Sequence, residues 1–405
     1  MSREERRYRW VILALLFVTF FTLILHWIGF APLLPAIKNA LGISFSEIGF
    51  LAATVSFAYM VMGIVGGILY DRFNARWLLR IGFVVAGVAA LARGFATDFT
   101  SILVVHIVLG AALAQIFIGL PRLTAQWFPA KETGFASGVY FLGWPIGTIF
   151  VLSASPIFLQ VLGEWTSVFR AYGIWSILLL AIWWTLAREP REAISERTFE
   201  TSTSRHFLEG VKVAFRNREV WLLASLFFCV LGISTGVITW LPAILENQGL
   251  SSVSAGFVAA TIPAGFAVGS VLLGTFSDKS RLRKPFMWIP GLFAGPLIFT
   301  LILTEGFALI LIAFVLGFTS MGIATLLFTV VSELPSIQGY HLGGAVGLMV
   351  SFGNSGGFVL PVAMGHLVDT TGSFLSAMIL PAILGAAIPV LAFALKETQG
   401  SRLQS

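Results

Sequence analysis

The chain has 405 residues, of which 57% are hydrophobic and only 11% charged, with a formal net charge of +6. A soluble domain carries about a quarter charged residues, so this chain cannot cover a water-facing surface, whereas its 37 Phe and 12 Trp suit lipid contact and interfacial belts. The single cysteine, Cys229, excludes an internal disulfide and a multi-cysteine metal site, and the positive charges sit where they give no argument for nucleic acid.

The N-terminal stretch through Arg9 is charged and then enters an apolar run. That run is long enough to span a bilayer. A signal peptide has a shorter apolar region and a small-residue cleavage site, so the run reads as a retained first helix. Twelve spans are predicted in chain order: 10–31, 46–69, 78–97, 101–124, 135–158, 169–187, 220–243, 253–276, 286–303, 306–330, 343–366 and 373–395. None shows the alternation of a barrel strand. Arg188 to Glu219 is the one substantial polar segment, read as a solvated linker. Its part from Phe207 to Phe215 has an alternative reading as an amphipathic helix lying on the membrane surface. The expected fold is an all-α membrane protein of twelve transmembrane helices. It divides into a six-helix bundle over 1–187, a cytoplasmic linker over 188–219 and a pseudo-symmetric six-helix bundle over 220–405.

The chain repeats itself after 207 residues without a gap. Leu34-Pro35-Ala36-Ile37 returns as Leu241-Pro242-Ala243-Ile244, and Gly42 and Ser44 return as Gly249 and Ser251. Gly49-Phe50 returns as Gly256-Phe257, and Gly67 and Asp71 return as Gly274 and Asp278. In all, 14 of the 38 positions from 34 to 71 are identical, and Arg76 and Arg283 keep the offset. A period this long is not a solenoid; in a membrane chain, parallel halves mark certain transporters. Of the 25 Lys and Arg, 22 fall in segments on the side of the termini, the exceptions being Lys38, Arg93 and Arg170. The positive-inside rule therefore places both termini in the cytoplasm.

The loop after span 2 runs Gly67-x-Leu69-x-Asp71-Arg72-x-Asn74-Ala75-Arg76, with a weaker copy at Gly274, Asp278, Lys279, Arg281, Arg283 and Lys284. It resembles the signature loop of the major facilitator superfamily. Asn74 stands where that loop has Gly, and Ala75 where it has a basic residue. The resemblance implies a cytoplasmic gate made by Gly67, Asp71, Arg72, Arg76, Gly274, Asp278, Lys279 and Arg283. In it Asp71 meets the start of span 11 near Leu342-Gly343-Gly344, and the basic residues pair with acids such as Glu132. His106-x-x-x-Gly110 takes the place of an R-x-x-x-G pattern of the superfamily. The glycines at 134, 138, 143 and 147, with Pro145, resemble its gating fifth span, and Gly343, Gly344, Gly347, Gly353, Gly356 and Gly357 are their counterpart in span 11. Trp127-Phe128-Pro129-x-x-Glu132-x-Gly134 is similar to a pattern of nitrate, cyanate and organic-anion carriers. The implied activity is secondary transport by rocking of the two halves, with no enzymatic chemistry, no cofactor and no metal.

Ionisable groups inside a membrane are costly and are functional candidates by default. Here they are His26, Arg93, His106 and Arg122. His106 and Gln115 are nine residues apart and project to opposite sides of a helix, whereas Gln115 and Arg122 share a face. So either His106 or the Gln115/Arg122 stripe lines the cavity, and the motif match favours His106. Uncharged candidates are Tyr59, Tyr140, Trp144, Thr235, Thr239, Trp240 and Asn354. No Asp or Glu lies in the middle of a span. That weakens a cationic-drug pump and carboxylate-based proton coupling. The first expectation is a carrier of a small inorganic or organic anion, working by proton symport or exchange as a monomer in the plasma (bacterial inner) membrane. The alternatives are efflux of a neutral or hydrophobic compound, or a non-transporting sensor of the same fold.

Overall fold

The computed structural model describes residues 3–73, 75–187, 204–337 and 341–398; at 3–6, 64, 67, 68, 71, 72, 75, 76, 130, 131 and 204–208 it describes the backbone alone. Among the described residues every regular element is a helix. Eleven segments are long and apolar enough to cross a membrane, and the shorter apolar helix Pro285–Leu301 lies between two of them. Its 17 residues rise about 26 Å, close to the hydrocarbon thickness.

In chain order, span 1 is Arg3–Ile28, continued by the turn Ala31–Leu33 and the short helix Leu34–Leu41. Spans 2, 3 and 4 are Phe45–Arg72, Ala75–Ala92 and Phe99–Trp127. Span 5 is broken into Ala130–Phe141 and Gly143–Leu162, and span 6 is Trp165–Leu186. Pro145 supplies no N–H to the turn before it, which accounts for the break at Leu142. Spans 7, 8 and 9 are Arg218–Asn247, Ser252–Ser280 and Pro285–Leu301. Span 10 is Gly306–Leu316 and Ala324–Glu333, joined through a π-helical turn at Gly317–Met321. Spans 11 and 12 are His341–Thr371 and Phe374–Ala394. The face carrying the chain ends is called the terminus side below, and the opposite face the far side.

The duplicated residues do the same local work twice. Gly42 and Gly249 hold positive φ, 64° and 97°, where the chain turns back into the membrane, a conformation that glycine adopts without a side-chain penalty. Ser44 and Ser251 then cap spans 2 and 8, accepting hydrogen bonds from Glu47 N at 3.1 Å and Ser254 N at 3.2 Å. Gly49 and Gly256 bring the halves together. A Cβ on Gly49 would stand 3.1 Å from the carbonyl carbon of Pro361 in span 11, and one on Gly256 3.3 Å from that of Leu152 in span 5. Both crossings are backbone against backbone, and both lie toward the far side.

On the terminus side the packing is different. A Cβ added at Gly134 or Gly138 of span 5, or at Gly274 of span 8, would meet nothing within 4 Å. Spans 5 and 8 therefore touch near the far side and part on the terminus side. Glycines further along span 5 serve a contact within the first half, where Gly143 and Gly147 lie against the backbone of span 1 at Phe17 and Phe21.

The polar segment holds a helix, Ser204–Phe215, as one of the two readings of that segment expected. It rests on the start of span 11, where a Cβ on Gly210 would be 3.0 Å from the His341 carbonyl oxygen. Its buried face carries Gly210 and Ala214, small enough for that approach. Residues 188–203, the rest of the expected linker, lie outside the described residues.

Replacing Gly256 by Leu drives a side chain into the span 5 backbone, and overpacking of this kind costs about 1–3 kcal/mol. Gly256→Leu should lower the thermal unfolding midpoint of the detergent-solubilised protein. Gly134→Ala, in open space on a helix, should leave it level or raise it.

Candidate functional site

A polar face on span 1 ties the first half together. Thr19, Thr22 and His26 follow helical spacing, and each meets span 6. Trp183 Nε1 donates to Thr19 Oγ1 at 2.7 Å, Trp175 Nε1 to Thr22 Oγ1 at 2.9 Å, and His26 Nε2 lies 2.5 Å from Ser176 Oγ. Arg93, at the end of span 3, donates to the His26 carbonyl and to His26 Nδ1, both at 3.2 Å. Nδ1 is thus an acceptor, which places the ring proton on Nε2, donating to Ser176. Ser176 in turn donates to the Tyr172 carbonyl at 3.1 Å.

Arg93 is fully buried, and no carboxylate pairs with it among the described residues. Its guanidinium carbon lies 3.8 Å from the centre of the Phe169 ring, a favourable place for a desolvated cation. His106 is also fully buried, with its ring 5.6 Å from Phe30 and both ring nitrogens unpartnered. His26, Arg93 and His106 thus lie inside the first half, among spans 1, 3, 4 and 6, and not on the seam between the halves. The sequence reading that favoured His106 as a cavity-lining group is corrected on that point. A small cavity lined by Thr19, Thr22, His26 and Ser176 adjoins them.

Gln115 points to spans 2 and 3, beside Gly66 and Gly82, with its amide atoms buried and unpartnered. Tyr70 donates to the Gln115 carbonyl at 3.0 Å, and the Arg122 guanidinium lies 4.9 Å from the Tyr70 ring centre. Gln115 and Arg122 therefore share a neighbour, while His106 faces a different one.

The first half carries an aromatic cluster, and Trp144 beside it reaches the seam. Trp27 stacks on Tyr59 at 4.8 Å, Tyr59 meets Phe117 at 5.4 Å, and Phe20 joins Phe117 to Tyr140 at 5.8 Å each. Trp144 crosses the seam to Phe266 at 4.9 Å. On the opposite side Thr235 donates to its own helix at Leu231 O, 2.7 Å, and Thr239, further along the same face, is buried. Asn354 donates to Val350 O at 2.9 Å and keeps a buried, unpartnered Oδ1. Between them Gly357 lets Ser56 of span 2 approach, and the Ser56 hydroxyl is likewise buried and unpartnered. Trp240 has a different setting: its Nε1 donates to Pro361 O at 3.1 Å, and its ring faces Phe45 of span 2 at 5.9 Å.

On the terminus side the second-half loop forms a charged cluster. Arg283 pairs with Asp278 at 2.5 Å and with Glu333, from the end of span 10, at 2.7 Å. Glu397, beyond span 12, accepts from the backbone N–H of Arg283 at 2.8 Å. The Glu333 hydrogen bonds raise the Arg283 pKa against the opposing effect of burial, with Asp278 adding to them. Lys279 is exposed nearby. In the first half Glu132 pairs with Arg9 of span 1 at 2.7 Å. At Gly67, Asp71, Arg72 and Arg76 the structure describes the backbone alone, so the side chains of this expected gate lie outside the described residues.

Sequence reasoning missed Thr19, Thr22 and Ser176, although the three- and four-residue spacing of 19, 22 and 26 in an apolar helix was a signal. It also passed over Ser56 and Glu397, whose partners only folding brings near.

Two apolar halves crossing at spans 2 and 11 and at spans 5 and 8, the latter pair parting on the terminus side, fit a membrane carrier of the alternating-access class. The sequence matches the Major Facilitator Superfamily over residues 15–340. The chain belongs to that superfamily; it is a multi-pass membrane protein and a secondary transporter of small solutes, not an enzyme. It is 28% identical to the probable galactarate/D-glucarate transporter of Bacillus subtilis, covering 85% of this chain and 82% of that one. It is also 28% identical to the probable sulfoacetate transporter of Cupriavidus necator, covering 95% and 93%. A bacterial homologue of the human lysosomal transporter Spinster, in an inward-facing and unoccupied conformation, superposes with a TM-score of 0.81 at 18% identity over 97% of both chains. The inward open xylose transporter of E. coli superposes with a TM-score of 0.75 at 15% identity.

Ser176→Ala leaves the His26 Nε2–H without its acceptor, a loss of about 1 kcal/mol. Arg93→Lys should lose more, because one ammonium cannot span His26 O and Nδ1 while lying flat on Phe169. Thermal unfolding midpoints in detergent should fall in the order wild type, Ser176→Ala, Arg93→Lys; the reverse order would remove Arg93 from the brace.

Proposed function

We propose that this carrier moves a small organic anion, with proton coupling or exchange, across the plasma (bacterial inner) membrane. The observation that carries this reading is similarity along most of the chain to carriers named for galactarate and D-glucarate, sulfoacetate and hexuronate. Each of those solutes is an anion near neutral pH. The charge inventory supports it, because the acids of the spans fall at helix ends while Arg122 lies within span 4. A cation held in a low-dielectric wall attracts an anion far more than one in water.

In this reading the solute sits at the seam, against Tyr59, Tyr140 and Trp144, with Asn354 and Thr235 as polar contacts. Arg122 supplies the charge. His26 and Arg93 brace the first half, and His106, unpartnered at both nitrogens, is the group through which pH acts. Asp278, Lys279, Arg283 and Glu132 belong to the terminus-side gate, together with Gly67, Asp71, Arg72, Arg76 and Gly274. The halves are 1–187 and 220–405, joined by a cytoplasmic linker at 188–219, and the concentration of Lys and Arg there puts both termini in the cytoplasm. One chain holds both halves, so the monomer suffices. The aromatic cluster beside the seam favours a second reading, export of a neutral or hydrophobic compound.

Uptake of labelled aldarates, hexuronates and sulfoacetate into proteoliposomes decides between the two. Accumulation of one of them, enhanced by a proton gradient directed the same way, is the expected result. No accumulation of any anion, together with proton flux driven by a hydrophobic compound, selects export.

Arg122→Gln should raise KM by about tenfold, the value of losing one desolvated charge contact. His106→Gln should flatten the pH dependence of uptake while leaving solute exchange intact; an unchanged pH profile would clear His106.

A further inference from the structure

The far side holds a contact that neither the signature loop nor the solute reading uses. Asp369, near the far-side end of span 11, reaches across the seam to the first turn of span 2. Its carboxylate accepts from Phe45 N at 2.9 Å, from Ser46 N at 2.7 Å and from Ser46 Oγ at 2.5 Å. Those backbone N–H groups are the ones a helix start leaves without partners, and the helix dipole favours an anion there. The carboxylate of one half thus caps a helix of the other.

Phe45 is held by the second half at three points. Gly365 of span 11 lies under its carbonyl, and its ring packs on Trp240 at 5.9 Å and on Phe374 at 5.3 Å. Lys38, from the short helix after span 1, places its Nζ 4.5 Å from the centre of the same ring. The other crossing, span 8 on span 5, has its glycine contact but a different acid arrangement. Glu164, at its far-side end, engages Thr166 and Arg170 of its own half.

We infer that Asp369 and the Phe45 socket form a bolt on the far side, one that must open in every transport cycle and whose strength sets which face the empty carrier presents. Three features fit such a part. It joins the two halves directly. It lies at the exposed edge, where water replaces each lost hydrogen bond, so breaking it costs little. And it uses a charge to hold a helix end, so removing the charge alone weakens it. Trp240 is then a gate residue, its ring closing on Phe45 and its indole N–H fixed to span 11.

The test reads conformation without any solute, so it stands or falls separately from the anion reading. Cys229→Ala removes the only cysteine. In that background Ser56→Cys reports the closed seam, and Gly138→Cys, in a separate protein, reports the open terminus side. Maleimide labelling rates are measured in detergent for each reporter. With Asp369→Ala added, Ser56→Cys should label about tenfold faster, as a shift of the order of one capped helix end implies, and Gly138→Cys should label more slowly. Asp369→Asn, which keeps one acceptor oxygen, should fall between. Phe45→Ala should act in the same direction as Asp369→Ala. General loosening of the fold would instead speed both reporters. Unchanged labelling of Ser56→Cys, or faster labelling of both, overturns the bolt.

Discussion

The structure depends on two places where one half lays its backbone directly on the other. Gly49 meets span 11 and Gly256 meets span 5, and a side chain at either would hold the halves apart. Helices in a membrane gain little from hiding apolar surface, since lipid is as apolar as they are, so close packing of small residues drives their association. Once the two glycine crossings close the far side, the rest follows geometrically. Spans 5 and 8, pinned near the far side, separate at the other end, where Gly134, Gly138 and Gly274 have unfilled space, while spans 2 and 11 stay in contact as far as Gly63 and Ser351. The polar groups of the seam then lie below the seal.

How much of this was legible follows from how far each interaction reaches along the chain. The glycine turns at 42 and 249 and the caps at Ser44 and Ser251 are local, and the repeat displayed them twice. The duplicated Gly49 and Gly256 were visible as identities, but their meaning as cross-half contacts needed the partner helix. The break of span 5 was readable from Pro145, and the twelve spans from their hydropathy alone. Arg93 and His26 were legible as costly intramembrane groups; their mutual contact was not, because 67 residues separate them. Asp369 and Ser46 are 323 residues apart, and no periodicity links them. In the polar segment, composition pointed to a solvated linker, while the small residues Gly210 and Ala214 had a neighbour that only the fold supplies.

The treatment of positive charge inside the membrane sorts the arginines by role. Arg93 is surrounded: a ring face, a carbonyl and a histidine nitrogen take the place of water, and its guanidinium is committed to holding spans 1, 3 and 6. Arg283 has carboxylates on two sides and is itself buried at the membrane edge, so loss of a partner would leave an uncompensated charge. Arg122 lies between these cases, against the ring of Tyr70 within span 4. Arg93 lies inside the first half, away from the seam, so the proposed anion contact is assigned to Arg122. The histidines differ in their partners. His26 has both nitrogens engaged, whereas His106 has neither.

The two copies of the repeat finally differ where function requires it. Both provide a turn, a cap and a glycine crossing, so both halves can close on the same face. Only the first copy begins its helix with Phe45 and Ser46; the second has Ser252 and Val253 at those places. Among the described residues, only the first meets an acid from the opposite half at that helix start. The two crossings set a balance between closed and open far sides, one that a solute preferring either state also shifts. A charged lock on one crossing tilts that balance by an amount a single carboxylate can set. It does so at the exposed rim, away from the seam residues proposed to contact solute. Selecting a solute and setting the resting face are therefore separable in this chain, because the proposed seam contacts and the bolt lie on the same spans 2, 7 and 11 but share no side chain.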